Sequence, residues 1–376
     1  MRLSDHDHAE IDGRLAAHDA FLRARYPGER AGRQPVHTVY VPADRLAGFR
    51  DWGTIALSTM DQHDFPWPDP AVRDKLAREP IEDLRVDFED GYGVRDDDQE
   101  DAAVRTAAAI LRDGPRPPFL GLRIKSLEAP TRRRALRTLD LFLDAWADEV
   151  TVTLPKVSGP AQVEAMVAVC EKLERTPGAL TFEIQVELPS AVLAADGTAT
   201  VAALITAAQG RCTGLHYGTY DYSAAAGVAA AYQSMEHPVA DYAKAVMQAA
   251  AAQTGVRLSD GSTNILPIGG RDDVHAAWQL HHRLVRRSLE RGFYQGWDLH
   301  PAQLPSRYAA TYSFFRDGRA AAVTRLERYL DRQGSGILDE PATARALAGY
   351  LLRGLDCGAL TDAGFPRERL AALAAS

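Results

Sequence analysis

Cysteine is nearly missing from this chain: Cys170, Cys212 and Cys357 are its only three, far apart and odd in number. That excludes a disulfide framework and a Cys-x-x-Cys metal site, and it fits a reducing cytoplasm. Lysine is almost as scarce, with five (Lys75, Lys125, Lys156, Lys172, Lys244) against 38 arginines. No apolar run reaches the length of a membrane span, and the first residues hold no secretory apolar segment, so the expected location is cytoplasmic. Net charge is −8, which argues against nucleic acid or an anionic membrane as partner. Arg132-Arg133-Arg134 and Arg286-Arg287 fall in helical patterns without interleaved aromatics and read as solvated faces. No repeat, low-complexity tract or Pro/Gly-rich linker is present.

What is there has the make-up of an ordinary soluble globular protein, 46% hydrophobic and 25% charged. Its 376 residues exceed the usual single core, yet a barrel of alternating strands and helices runs that long as one domain. Short β-rich apolar runs recur: Val36–Val41, Leu84–Glu89, Phe119–Ile124, Val150–Pro155, Phe182–Glu187, Thr213–Gly218, Asn264–Ile268 and Tyr294–Leu299. Between them Asp97–Leu111, Thr131–Trp146, Ala161–Leu173 and Arg271–Arg291 carry apolar residues at helical spacing. Eight such units predict parallel strands closed into a (β/α)₈ TIM barrel over residues 36–304. Thr54–Ser58 is a further candidate strand. Residues 1–35 and 305–376 read as helical N- and C-terminal additions, which cover the barrel mouth or pack on another subunit, so a homo-oligomer is expected. In the first, Ser4 or Asp5 caps a helix; in the second, Asp339-Glu340-Pro341 leads into one. Ile268-Gly269-Gly270-Arg271 is a glycine turn rather than a phosphate loop, and Asp96, Asp97 and Asp98 suit a helix first turn.

In such a barrel, chemistry sits at the carboxyl ends of the strands. There the runs end in Glu89 and Asp90, Arg123, Lys156, Glu187, Asp221, and Asp298 with His300. Carboxylates are costly to bury alone, so Glu187 and Asp221 ask for a shared cation. Oxygen ligands suit a hard ion, Mg²⁺ or alternatively Mn²⁺. The plainer alternative is two loop acids that cap helices or face water. With cations opposite, the set suits a small carboxylic acid substrate. Lys156 has two readings: an ion pair that organises the acids, or a Schiff-base amine.

Val86-Asp87-Phe88-Glu89-Asp90-Gly91, Leu122-Arg123-Ile124, Leu154-Pro155-Lys156, Val186-Glu187-Leu188-Pro189, Tyr217–Tyr222 and Gly296–Gln303 follow a familiar order. In it the chain resembles the HpcH/HpaI aldolase and citrate lyase β-subunit superfamily, a wider group that includes malate synthases. The resemblance implies a Mg²⁺-dependent barrel enzyme that makes or breaks a carbon–carbon bond beside a 2-oxo acid, such as glyoxylate or pyruvate. It implies Glu187 and Asp221 as metal ligands, and Glu89 and Asp90 in water-holding or proton transfer. Arg123 would grip the substrate carboxylate and neutralise an enolate. Lys156, Tyr220 and His300 join it in substrate binding. Asp298 is the expected general base, with Glu89, Asp90 or a metal-bound water as alternatives. Tyr40-Val41-Pro42-Ala43-Asp44-Arg45 is a reduced form of the segment that meets coenzyme A in many relatives. A free hydroxy or oxo acid is therefore expected, and CoA stays open alongside a non-catalytic carboxylate binder.

Overall fold

The computed structural model describes residues 2–331 and 340–375. Its strands are β1 (Thr38–Pro42), β2 (Asp83–Asp87), β3 (Phe119–Arg123), β4 (Thr151–Leu154), β5 (Thr181–Val186), β6 (Cys212–Tyr217), β7 (Arg257–Ser259) and β8 (Trp297–Asp298). All pair in parallel in the order β7-β6-β5-β4-β3-β2-β1-β8. A parallel bridge from Ser259 to Gln295 joins the two ends, and Asp260 N–H donates to the Gln295 carbonyl at 2.8 Å. The sheet is thus a closed (β/α)₈ barrel, as the alternation of strand and helix implied.

Two strand expectations fail. The seventh strand is Arg257–Ser259, not Asn264–Ile268. The later run contains Pro267, which has no N–H for a ladder, and its Ile265 and Ile268 are exposed. Thr54–Ser58 lies inside the helix Trp52–Gln62, where Ala56 and Met60 bury one face at i,i+4 spacing.

Side chains alternate sharply along each strand. On β2, Leu84 and Val86 are fully buried members of the apolar core, while Asp83, Arg85 and Asp87 take the other face. Arg85 crosses to β5, donating from Nε and Nη2 to the Glu183 carboxylate, both at 2.9 Å. Because β2 and β5 are not neighbours, this polar face must be the barrel interior. There Arg85 also pairs with Asp83, while Thr153 Oγ1 (2.5 Å) and His216 Nε2 (3.0 Å) complete the Glu183 carboxylate. Buried charges persist only when paired and hydrogen-bonded like this. Gly121 permits the crossing, since a Cβ there would stand 2.7 Å from Arg85 Cδ.

Outside the barrel, the helix Asp5–Arg25 starts with a Ser4–Asp7 capping box and buries no residue. After β8 come the helices Leu304–Leu330, Pro341–Asp356 and Arg367–Ala375. Pro341 opens the second of these as expected; Asp339 lies outside the described residues. The Asp97–Arg112 helix starts from Asp96 with Asp97 and Asp98 in its first turn. Gly269, at φ +105°, takes the left-handed turn that leads into Arg271–Glu290. No helix among the described residues is long and apolar enough to cross a membrane.

Candidate functional site

The rim of the barrel begins with Asp87, the last residue of β2. Its Oδ1 accepts the Glu89 N–H and its Oδ2 the Gly91 N–H, each at 2.9 Å, so the chain turns back over the strand end. The same carboxylate receives Arg123 Nε at 2.7 Å and Nη2 at 2.8 Å from β3. A planar fork held by two parallel bonds leaves little freedom. Tyr40 lies under the guanidinium, its ring centroid 4.8 Å from Arg123 Cζ. The remaining Nη1 meets Glu89 Oε2 at 3.2 Å.

Three other corners bring the rest. Lys156 follows β4 with φ +51°, rare for a residue with a side chain. Its N–H donates to Glu187 Oε1 at 2.6 Å. Its ammonium stands 2.7 Å from Asp221 Oδ2, 3.1 Å from Asp90 Oδ2, 3.4 Å from Glu187 Oε2 and 3.8 Å from Glu89 Oε1. Glu187, one residue past β5, is buried against Gly218 after β6; a Cβ on Gly218 would lie 2.5 Å from Glu187 Cβ. Asp221 sits half-exposed in the first turn of Thr219–Ala225, a favourable place for an acid.

Burial pushes the Glu89 carboxyl up to about 8, against the pull of Arg123 and Lys156. Burial likewise raises Glu187 to about 6, with Lys156 opposing and Asp221 reinforcing. Burial would lower the Lys156 ammonium, but Glu187 and Glu89 outweigh it and hold it above the usual range. Held among four carboxyl groups, the amine is kept protonated, against the neutral form a Schiff base needs; the ion-pair reading of Lys156 fits the geometry.

The structure therefore gathers Glu89, Asp90, Arg123, Lys156, Glu187 and Asp221 at one place. The other three make their hydrogen bonds elsewhere. Asp298 has no exposed surface and faces the helix layer, opposite in sense to Trp297, whose Nε1 donates to His216 Nδ1 at 3.1 Å inside the barrel. Its carboxylate takes His37 Nδ1 at 2.8 Å, His281 Nε2 at 3.1 Å and Arg307 Nη2 at 2.9 Å. Burial alone would raise it, yet Arg307 and the two histidines hold it well below the usual carboxylate range. A saturated, sealed carboxylate cannot take a substrate proton, so the expectation of Asp298 as general base is corrected to a structural one. Tyr220 Oη accepts the Asn264 N–H at 2.6 Å and ties the short helix Thr219–Ala225 to the loop after β7. His300 Nδ1 accepts the Ala302 N–H at 3.1 Å and caps the turn Pro301–Gln303. Asp87 was missed as a site residue; its signal was an acid with Gly91 four positions on, a turn-closing pattern.

A (β/α)₈ barrel with an acid-ringed mouth is the class this architecture defines. By the match of a family profile to residues 15–372, the chain belongs to the family described as Domain of unknown function (DUF6986). Among solved structures it resembles protein CitE from Mycobacterium tuberculosis in complex with magnesium, acetoacetate and coenzyme A. Identity is 19%, coverage 87% of this chain and 98% of that one, and the TM-score 0.56. The Haloferax volcanii malate synthase lead(II) complex gives 12% identity, 87% and 93% coverage and a TM-score of 0.54. A glyoxylate form of that synthase gives 11%, 87%, 93% and 0.53. At these identities the likeness establishes a shared fold, the one the ordered motifs implied. No curated protein matches the chain in sequence.

Proposed function

We propose that the protein is a Mg²⁺-dependent carbon–carbon lyase of aldol or Claisen type, with a short 2-oxo acid such as glyoxylate or pyruvate as reactant or product. One observation carries this: four carboxyl groups from the corners after β2, β5 and β6 converge on a single positive charge. The Lys156 ammonium marks where a cation is stabilised, and the donors are all oxygen. Among the described residues no three or more His, Cys, Asp or Glu form a metal cage. Two protein carboxylates with water and substrate completing the shell is how Mg²⁺ is usually held. Glu187 and Asp221 would hold it; Mn²⁺ is the alternative. When bound, the ion would supply Lewis acidity toward a carbonyl oxygen.

The chain's own residues supply the rest. Arg123, aimed by Asp87 and Tyr40, neutralises a carboxylate or enolate oxygen through the face that now meets Glu89. Glu89, raised to about 8 by burial, keeps its proton near neutrality and so serves as proton donor and, once deprotonated, acceptor. Asp90 keeps Lys156 at the rim. Lys156 in turn offers a substrate carboxylate a positive charge.

The likeness to CitE solved with coenzyme A favours a second reading, a CoA-thioester lyase or condensing enzyme. Calorimetric titration with acetyl-CoA separates the two, since the free-acid reading expects no binding. We also read the protein as cytoplasmic and homo-oligomeric; exposed Ile11, Leu15, Phe21 and Leu22 on the Asp5–Arg25 helix support a partner copy. The decisive assay is a cleavage and condensation screen of short hydroxy and oxo acids, run with Mg²⁺ and with EDTA. Expected: turnover with Mg²⁺, none with EDTA. Turnover that resists EDTA rejects the mechanism, and tight oxo-acid binding without product leaves a carboxylate-binding protein.

A further inference from the structure

We infer that Lys156 is a tethered cation competing with the divalent ion for the rim carboxylates, so that metal and substrate bind cooperatively. The inference rests on the reading of Glu187 and Asp221 as metal-holding residues. Both of them touch the Lys156 ammonium, at 3.4 and 2.7 Å. Two positive centres within one small cage repel strongly, so metal entry requires the ammonium to leave.

The means of leaving are built in. The Lys156 backbone is fixed independently of its side-chain tip, through its N–H to Glu187 Oε1 at 2.6 Å. The ammonium, by contrast, rides on a flexible four-carbon stem and has an outer station at Asp90, whose side chain is 59% exposed. When the tip swings outward, the amide still orients Glu187. A substrate carboxylate arriving at the rim offers the displaced ammonium a new partner, which lowers the cost of metal entry. Coupling of this kind is reciprocal, so metal should tighten oxo-acid binding as much as the oxo acid tightens metal.

Isothermal titration of Mn²⁺ into the full-length protein and its Lys156→Met variant, with and without pyruvate, tests this. Without pyruvate, Lys156→Met should bind Mn²⁺ about tenfold tighter or more than the parent. Pyruvate should tighten Mn²⁺ binding in both proteins, since it completes the metal's shell, and by a several-fold larger factor in the parent, where it also takes the displaced ammonium. Equal affinities in parent and variant, with binding abolished by Glu187→Gln, overturn the inference and leave the metal reading standing. No Mn²⁺ binding in either protein removes both. If Lys156→Met fails to fold, amine labelling of the parent read by mass spectrometry decides, with exposed Lys172 as internal reference. Saturating Mn²⁺ should raise Lys156 labelling several-fold; unchanged labelling refutes the competition.

Discussion

Asp298 and Glu187 are buried to the same degree, at 0% and 1% exposure, yet their surroundings make them opposites. Asp298 faces the helix layer, where Arg307, His37 and His281 saturate it and hold it well below the usual carboxylate range. Glu187 faces the mouth, with one backbone N–H and a shared lysine, and is raised to about 6. Depth of burial therefore does not mark a site. A carboxylate whose charge is under-compensated does, because it retains free energy to offer an incoming cation.

The largest effect expected is a double dissociation between them. Glu187→Gln should lower turnover by on the order of a thousandfold and leave the thermal midpoint unchanged or higher, because an uneasy charge is gone. Asp298→Asn should do the reverse, destabilising the fold by about 3–5 kcal/mol through an unpaired buried Arg307. Activity assays beside urea titrations of both variants check this; similar loss of stability in the two would dissolve the contrast.

Next in size is Arg123→Lys, expected to cost about tenfold to hundredfold in kcat/KM, because an ammonium cannot reproduce the planar two-bond grip on Asp87. A parent-like kcat/KM would show that the fork is dispensable. Gly121→Ala probes the interior network instead. Its Cβ would stand 2.2 Å from the Thr151 carbonyl oxygen and 2.7 Å from Arg85 Cδ, so a loss of about 1–3 kcal/mol is expected in denaturant melts.

The smallest effects are in pH dependence. If Glu187 holds the metal as proposed, it must be ionised to do so, and Mn²⁺ affinity should fall as pH drops below about 6. Glu89 is raised from 4.5 to about 8, so between these values the folded state holds a proton that the unfolded chain releases. Its stabilising contribution is complete below 4.5 and declines as pH rises toward about 8. Glu89→Gln should flatten that decline in melts recorded across pH; an unaltered slope would assign it to another group.

Most of the barrel was legible because its strands alternate with helices at two distinct periods. The seventh strand was not. Arg257-Leu258-Ser259 carries almost no apolar signal, and its pairing comes from β6 on one side and barrel closure on the other. The strand-end acids were legible because a carboxylate ending an apolar run has few structural uses. Asp298 misled because it also ends such a run, and a two-residue period cannot say which parity faces inward. For Tyr220 and His300, proximity in sequence to the rim did not fix where the side chain finds its hydrogen bond: the first meets Asn264 and the second Ala302.

The order of residues by itself determined an eightfold alternation, a set of acids and cations at strand ends, and the family resemblance. Those are local properties of pattern and residue chemistry. Only the tertiary structure decided which acids share a cation, that Asp87 aims Arg123, and that Asp298 serves the helix layer. Each of these depends on distances between segments far apart in the chain, which only closure of the barrel sets.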